Sequence, residues 1–133
     1  MNKVLRLKIE NGGEKMTFYD FSGEAVAYLY DDIHIYLFSG EPVAYLHDDA
    51  IYGYNGHQLG WFEEGWIRDL GGRCVFFTEN TNGSGPVKPV KHVKPVKSVR
   101  YVKPVKSARC AKYAKAVKSL SWSSLSGRAF FIQ

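Results

Sequence analysis

Eleven cationic side chains stand at strict three-residue spacing in the C-terminal half of the chain: Lys88, Lys91, Lys94, Lys97, Arg100, Lys103, Lys106, Arg109, Lys112, Lys115 and Lys118. No Asp or Glu interrupts them, and Tyr101 and Tyr113 are interleaved. Evenly spaced cations of this kind can neutralise the phosphates of DNA or RNA or the headgroups of an anionic membrane, with aromatic rings available for stacking. Lysine predominates and no base-reading motif is present, so the chemistry implied is non-specific polyanion contact. The bland counterpart is a solvated charge run, and a further alternative is self-association, with the strip of one copy on the acidic body of another. Outside residues 87–119 there are seven basic and thirteen acidic side chains, so the rest of the chain carries a net −6.

A second set of candidates is aromatic. Tyr28, Tyr45, Trp61 and Phe77 recur 16 or 17 residues apart, and rings that converge at a barrel mouth would suit an apolar or lipid-like ligand or a protein partner. Packing into a small core is the plainer role for such rings. Catalysis finds less support. His34, His47, His57 and His92 lack metal-ligand spacing, and the acidic pairs Asp31-Asp32, Asp48-Asp49 and Glu63-Glu64 fall at turn positions. Repetition delivers like groups where an active site needs unlike ones. A non-enzymatic protein without cofactor or metal is expected. The two cysteines, Cys74 and Cys110, form neither a CxxC motif nor a disulfide framework, which fits a reducing, cytoplasmic setting. No stretch has the length and apolarity of a membrane-spanning helix.

The elements that must position these residues are set by an internal repeat with glycines at Gly23, Gly40, Gly56 and Gly72. Each glycine ends a turn dipeptide, Ser22-Gly23, Ser39-Gly40, Asn55-Gly56 or Gly71-Gly72, between short aromatic and β-branched runs. That pattern predicts tight hairpins with primed turns. Both faces of the second strand are apolar, and Ala27, Ala44 and Gly60 share a phase that Phe76 breaks. Eight strands in an open row would expose two edges, whereas closing them into a ring removes both. Trp122 and Phe130 are expected to return to the barrel, with residues 120–133 as a closing strand or hairpin.

These residues resemble the four-fold β-flower proteins of bacteria. The resemblance rests on the tandem units Ser22 to Tyr28 and Ser39 to Tyr45, the Gly60-Trp61-Phe62 variant, the Pro-Val-Lys triplets and Leu120 to Leu125. It implies a shallow pseudo-four-fold β-barrel and carries no catalytic residues over to this chain. The fold class expected is therefore all-β, a closed barrel of repeated hairpins over 18–81, with a basic segment over 82–119. Residues 1–17 form an N-terminal extension, of which residues 1–15 lie outside the resemblance. Two readings of its first fifteen residues stand side by side: a translated leader ahead of an initiator at Met16, or an edge strand at Val4–Ile9.

The period of the basic segment is three, which matches polyproline II rather than strand or α-helix, and Pro86, Pro89, Pro95 and Pro104 agree. Residues 108–120 lack proline and could be helical instead. A coarser beat of nine links Pro86, Pro95, Pro104 and Tyr113, one unit for each hairpin. Extended, the segment reaches about 100 Å, close to one lap of a body about 30 Å across. It either wraps the barrel or stays a mobile loop. If it wraps, burial favours valines inward and lysines toward the acidic turns.

Overall fold

The computed structural model describes residues 16–125 and 127–133. The leader and the Val4–Ile9 strand considered above lie outside the described residues. Eight antiparallel strands, β1 (Met16–Tyr19), β2 (Ala25–Leu29), β3 (His34–Leu37), β4 (Pro42–His47), β5 (Ala50–Tyr52), β6 (Gln58–Glu63), β7 (Trp66–Asp69) and β8 (Cys74–Phe77), form a closed barrel in sequence order. The seam is the pairing of β1 with β8 at Tyr19 and Phe77. Closure therefore needs no contribution from the C-terminus. The expected closing strand there is instead a 3-10 helix, Gly127–Ile132, whose Phe130 and Phe131 enter the barrel.

Alternation along each strand divides the side chains between two faces. One face gathers residues from all eight strands into a single cluster, among them Phe18, Ala27, Ile35, Ala44, Ile51, Leu59, Ile67 and Val75, as only the inside of a ring can. Phe130 and Phe131 complete it against Phe76, at centroid distances of 5.7 and 5.6 Å. A Cβ on Gly60 would collide with Arg68 O on the neighbouring strand and lie 3.0 Å from the Phe130 ring, so both the strand and the plug approach closely here. The opposite face splits into two clusters around Tyr28 and Tyr45. That is the outer wall.

The glycine hairpins are not two-residue primed turns. In each, the glycine amide donates to the carbonyl three residues back, and the strand-end amide takes the carbonyl four residues ahead, as in Gly40 N to Leu37 O at 2.9 Å and Leu37 N to Glu41 O at 2.9 Å. With glycine φ between 89° and 97°, this is a type I turn followed by a glycine bulge. The register slips next to each turn accordingly, for example between Ile35 and Tyr36. Left-handed conformations also occur at the other end of the barrel, at Asp32, Asp48 and Glu64. Among the described residues no helix is long and apolar enough to cross a membrane.

Candidate functional site: a basic collar on an aromatic wall

Four cross-strand pairs repeat around the outer wall: Tyr28 beside Tyr36, Tyr45 beside Tyr52, Trp61 beside Arg68, and Phe77 beside Tyr19. The three pairs of rings stack with interplanar angles of 22–26°. The basic segment lies across them without helix or strand, including residues 108–119, and its register follows the hairpins. The amides of His92, Tyr101, Cys110 and Ser119, nine residues apart, donate to the carbonyls of Gly23, Gly40, Gly56 and Gly72 at 2.9–3.1 Å. Ser98 and Ser107 add equivalent bonds to Phe38 and Tyr54. At the first equivalent position Pro89 has no N–H to give.

The glycines answer two demands at once. Each has a positive φ, and a Cβ on Gly23, Gly40, Gly56 or Gly72 would collide with the carbonyl oxygen of Val90, Val99, Ala108 or Val117. The nine-residue beat continues at Tyr113, whose amide donates to Gln58 Oε1 at 2.8 Å. Pro104 and Pro95, one and two units earlier, need no such acceptor.

The cations turn inward. Lys97, Lys106 and Lys115 lie over the rings of Tyr28, Tyr45 and Trp61 at 5.1, 4.5 and 5.5 Å. Arg100 and Arg109, three residues after Lys97 and Lys106, lie over Tyr36 and Tyr52 at 5.9 Å, and Lys91, nine residues before Arg100, lies over Tyr19 at 5.7 Å; Arg100 also sits 3.6 Å from the Tyr30 ring centroid. These are cation–π distances. Beyond the rings, the acidic turns take Lys112 (Asp48, 3.2 Å), Lys115 (Glu63, 2.8 Å, and Asp49, 2.5 Å) and Lys118 (Glu64, 2.9 Å). The hydrogen bond from Lys115 holds the Asp49 carboxyl below its usual range, and that from Lys118 does the same for Glu64. Asp49 and Glu63 in turn raise the Lys115 ammonium.

The valines therefore point outward, contrary to the burial argument. All eight in the segment, from Val87 to Val117, are 84–94% exposed. A valine is too short to cover a ring across the gap, whereas a lysine stem packs on the ring and carries its charge past it to the acidic turns.

Arg68 closes the lap. It occupies the repeat position held elsewhere by Tyr19, Tyr36 and Tyr52, and it is 2% exposed. Its Nη1 donates to Gly72 O (2.7 Å) and Ser119 O (2.8 Å), and its Nη2 donates to Ser84 O (2.5 Å). Residues near the two ends of the segment thus meet on one side chain, so residues 84–119 make a full circuit. Trp122 then docks against Trp66 and Phe77. Its neighbours bracket Cys74, whose amide donates to Ser121 O and whose carbonyl accepts from Ser123 N. Burial pushes the Cys74 thiol up to about 11.

Of the residues expected to bind a ligand, Tyr28, Tyr45, Trp61 and Phe77 lie on the outer wall beneath the collar and not at a barrel mouth. The interior is filled by side chains. A cleft of about 230 Å³ between the second and third hairpins, reaching Tyr54, Pro104 and Phe131, is below the usual range for small-molecule sites. Among the described residues no group of three or more His, Cys, Asp or Glu is placed to hold a metal ion. His34 pairs with Asp31 at 2.8 Å and His92 with Glu24 at 3.2 Å. Arg68 was missed in the sequence, although its repeat column marked it as the one departure from tyrosine.

No curated protein and no solved structure matches the chain. A family model does, the 4-fold beta flower protein, over residues 16–131, which spans the barrel, the collar and the aromatic plug. The chain belongs to the 4-fold beta flower family.

Proposed function

We propose that the protein is a non-enzymatic binding or scaffolding module, working in a reducing, cytoplasmic setting, whose presented surface is the collar and whose partner is protein. The observation that carries this reading is the row of eight exposed valines. Each would gain about 1.5 kcal/mol on full burial, and an apolar row left in water marks an interaction surface. The closed barrel and its plug supply the rigid support. Both thiols, Cys74 and Cys110, are free, in keeping with the setting proposed.

An apolar small-molecule ligand has less in its favour, because the expected aromatic site is occupied by the chain's own cations. Polyanion contact is weakened for the same reason: the cations that lie on rings and acidic turns would have to leave them first.

Native mass spectrometry of the natively purified protein tests the proposal. Protein-sized adducts that disappear in the triple variant Val93→Ser, Val96→Ser, Val99→Ser are expected. A lipid-sized mass retained equally by both proteins would contradict it. Nucleic-acid binding whose constant falls steeply with salt and is unchanged in the variant would favour the polyanion reading.

A further inference from the structure

One sector of the molecule departs from its own repeat. The residue that opens each glycine turn is Asp20, Leu37 or Asp69 in the first, second and fourth hairpins and Gly53 in the third. Unlike the turn glycines, Gly53 has no left-handed φ. The nearest atom to a Cβ added there is the side-chain Oδ1 of Asn55 at 3.0 Å, and no backbone atom is among its closest neighbours. Neither the conformation of the chain nor a close backbone approach therefore accounts for the missing side chain. Its effect is to open the cleft of about 230 Å³ that Gly53 lines together with Glu41, Tyr54, Pro104, Phe131 and Ile132.

We propose that this cleft is a docking site for one phenyl-sized apolar side chain, presented by a partner protein between acidic residues. This rests on the reading of the protein as a module that binds protein, and it names the place and the chemistry of the contact.

Size and lining are the first ground. An apolar cavity of about 150 Å³ takes a benzene ring, so the cleft holds one group of that kind and little more. Apolar side chains left in water stand beside it: Ile132 is 80% exposed, and Val102 and Val105, on either side of Pro104 in the collar, are 94% and 92% exposed. A pocket for a single side chain, set among apolar neighbours, is how protein interfaces hold their anchoring residues. A free ligand of ordinary size would not be enclosed, and a phosphate chain brings no apolar group to fill the space.

Charge is the second ground. Lys112 pairs with Asp48. The repeat counterparts of these two residues are Lys103 and Asp31, but His34 holds Asp31 at 2.8 Å. Lys103, next to Pro104, is thus left without a carboxylate. Arg100, Lys106 and Arg109 lie over tyrosine rings, which bring no negative charge, and Glu41 in the cleft wall is matched by Arg128. Among the described residues no ion pair neutralises the collar between Arg100 and Arg109, whereas Lys112, Lys115 and Lys118 are all paired. The field of these four cations favours an anchor flanked by carboxylates and repels one flanked by basic residues.

Amide NMR of the full chain at about 0.1 M salt, titrated with the acetylated and amidated peptide Glu-Glu-Phe-Glu-Glu, tests this. Shifts should saturate with a dissociation constant of about 1 mM or below and centre on Gly53, Tyr54, Asn55 and Ile132. Replacing the phenylalanine of the peptide by alanine, or its glutamates by lysines, should weaken binding at least about tenfold. Gly53→Leu, which puts back the side chain found in the second hairpin, should do the same, and Lys103→Glu should narrow the preference for the glutamate peptide over the lysine peptide by at least about threefold. Far-UV circular dichroism and the thermal midpoint check that both variants keep the fold. An absence of shifts at the cleft up to about 10 mM peptide overturns the proposal. So do shifts that ignore the phenylalanine and persist in Gly53→Leu, which would mean loose contact of carboxylates with the collar, and so does equal binding of the lysine peptide. A deoxythymidine oligonucleotide that moves the same amides more tightly than the peptide would assign the site to nucleic acid and likewise overturn it. A silent cleft in a protein that still shows valine-dependent protein adducts by native mass spectrometry would end this proposal and leave the broader binding reading standing.

Discussion

Arg68 concentrates more of the collar's order than any other side chain, because one guanidinium holds Ser84, Gly72 and Ser119 together. Arg68→Met keeps the apolar part of the stem and removes the donors, leaving Ser84 O and Ser119 O without theirs while Gly72 O keeps the Ser119 amide. Such a loss is expected to cost about 2–4 kcal/mol, seen as a lower urea midpoint, with faster exchange at the Ser119 amide. An unchanged midpoint would mean that water replaces the guanidinium without loss. The turn glycines act at the same scale. Gly40→Ala forces a side chain into a left-handed φ of 97° and against Val99 O, which should cost about 1–3 kcal/mol and free the Tyr101 amide. Gly71→Ala, one residue before a turn glycine and with only ordinary contact ahead of it, should stay within about 0.5 kcal/mol. Thermal midpoints of the pair check both.

At the scale of elements, the collar and the wall are joined by many weak contacts. Lys106→Met retains the stem over Tyr45 and removes the charge, so a loss of about 0.5–1 kcal/mol is expected, with Lys106→Arg close to wild type in chemical denaturation. The acidic turns add a pH dependence. Asp49 has a lowered pKa, so the folded protein binds fewer protons there than the unfolded chain. Its contribution is complete above the unfolded value near ~4 and fades as pH falls through the lower folded value. Lys115 has a raised pKa, and its contribution persists until the pH climbs past ~10.4. Between about pH 5 and pH 10 this cluster should therefore be flat. Below about pH 4 the denaturation midpoint should drop more steeply in wild type than in Asp49→Asn. The difference should be small, because exposed pairs contribute little. Equal slopes would show that Lys115 and Asp49 do not pair in solution.

For the whole molecule, the repeat made the barrel legible. Glycines at a fixed interval dictate hairpins, paired strand faces dictate burial on two sides, and closure follows from the cost of open edges. The nine-residue beat likewise anticipated one collar unit per hairpin. What the sequence did not disclose was direction. A rule that buries valine before lysine fails here because the wall consists of ring faces and acidic turns, which reward a long cationic side chain more than a short branched one. The same cause moved Tyr28, Tyr45, Trp61 and Phe77 from an imagined mouth to the outside. The C-terminus misled for a local reason: Gly127-Arg128-Ala129-Phe130-Phe131 mimics the turn-and-strand pattern of Gly72-Arg73-Cys74-Val75-Phe76, yet β1 already pairs with β8 and the part of β8 left open at Cys74 is taken by Ser121 and Ser123. The two phenylalanines are then worth more inside the barrel.

The most direct test is residue-resolved amide exchange across 87–119 in the intact protein. An ordered lap in register with the hairpins predicts slow exchange at His92, Ser98, Tyr101, Ser107, Cys110 and Ser119, the amides bonded to barrel carbonyls, separated by faster neighbours. Uniformly fast exchange throughout the segment would contradict it.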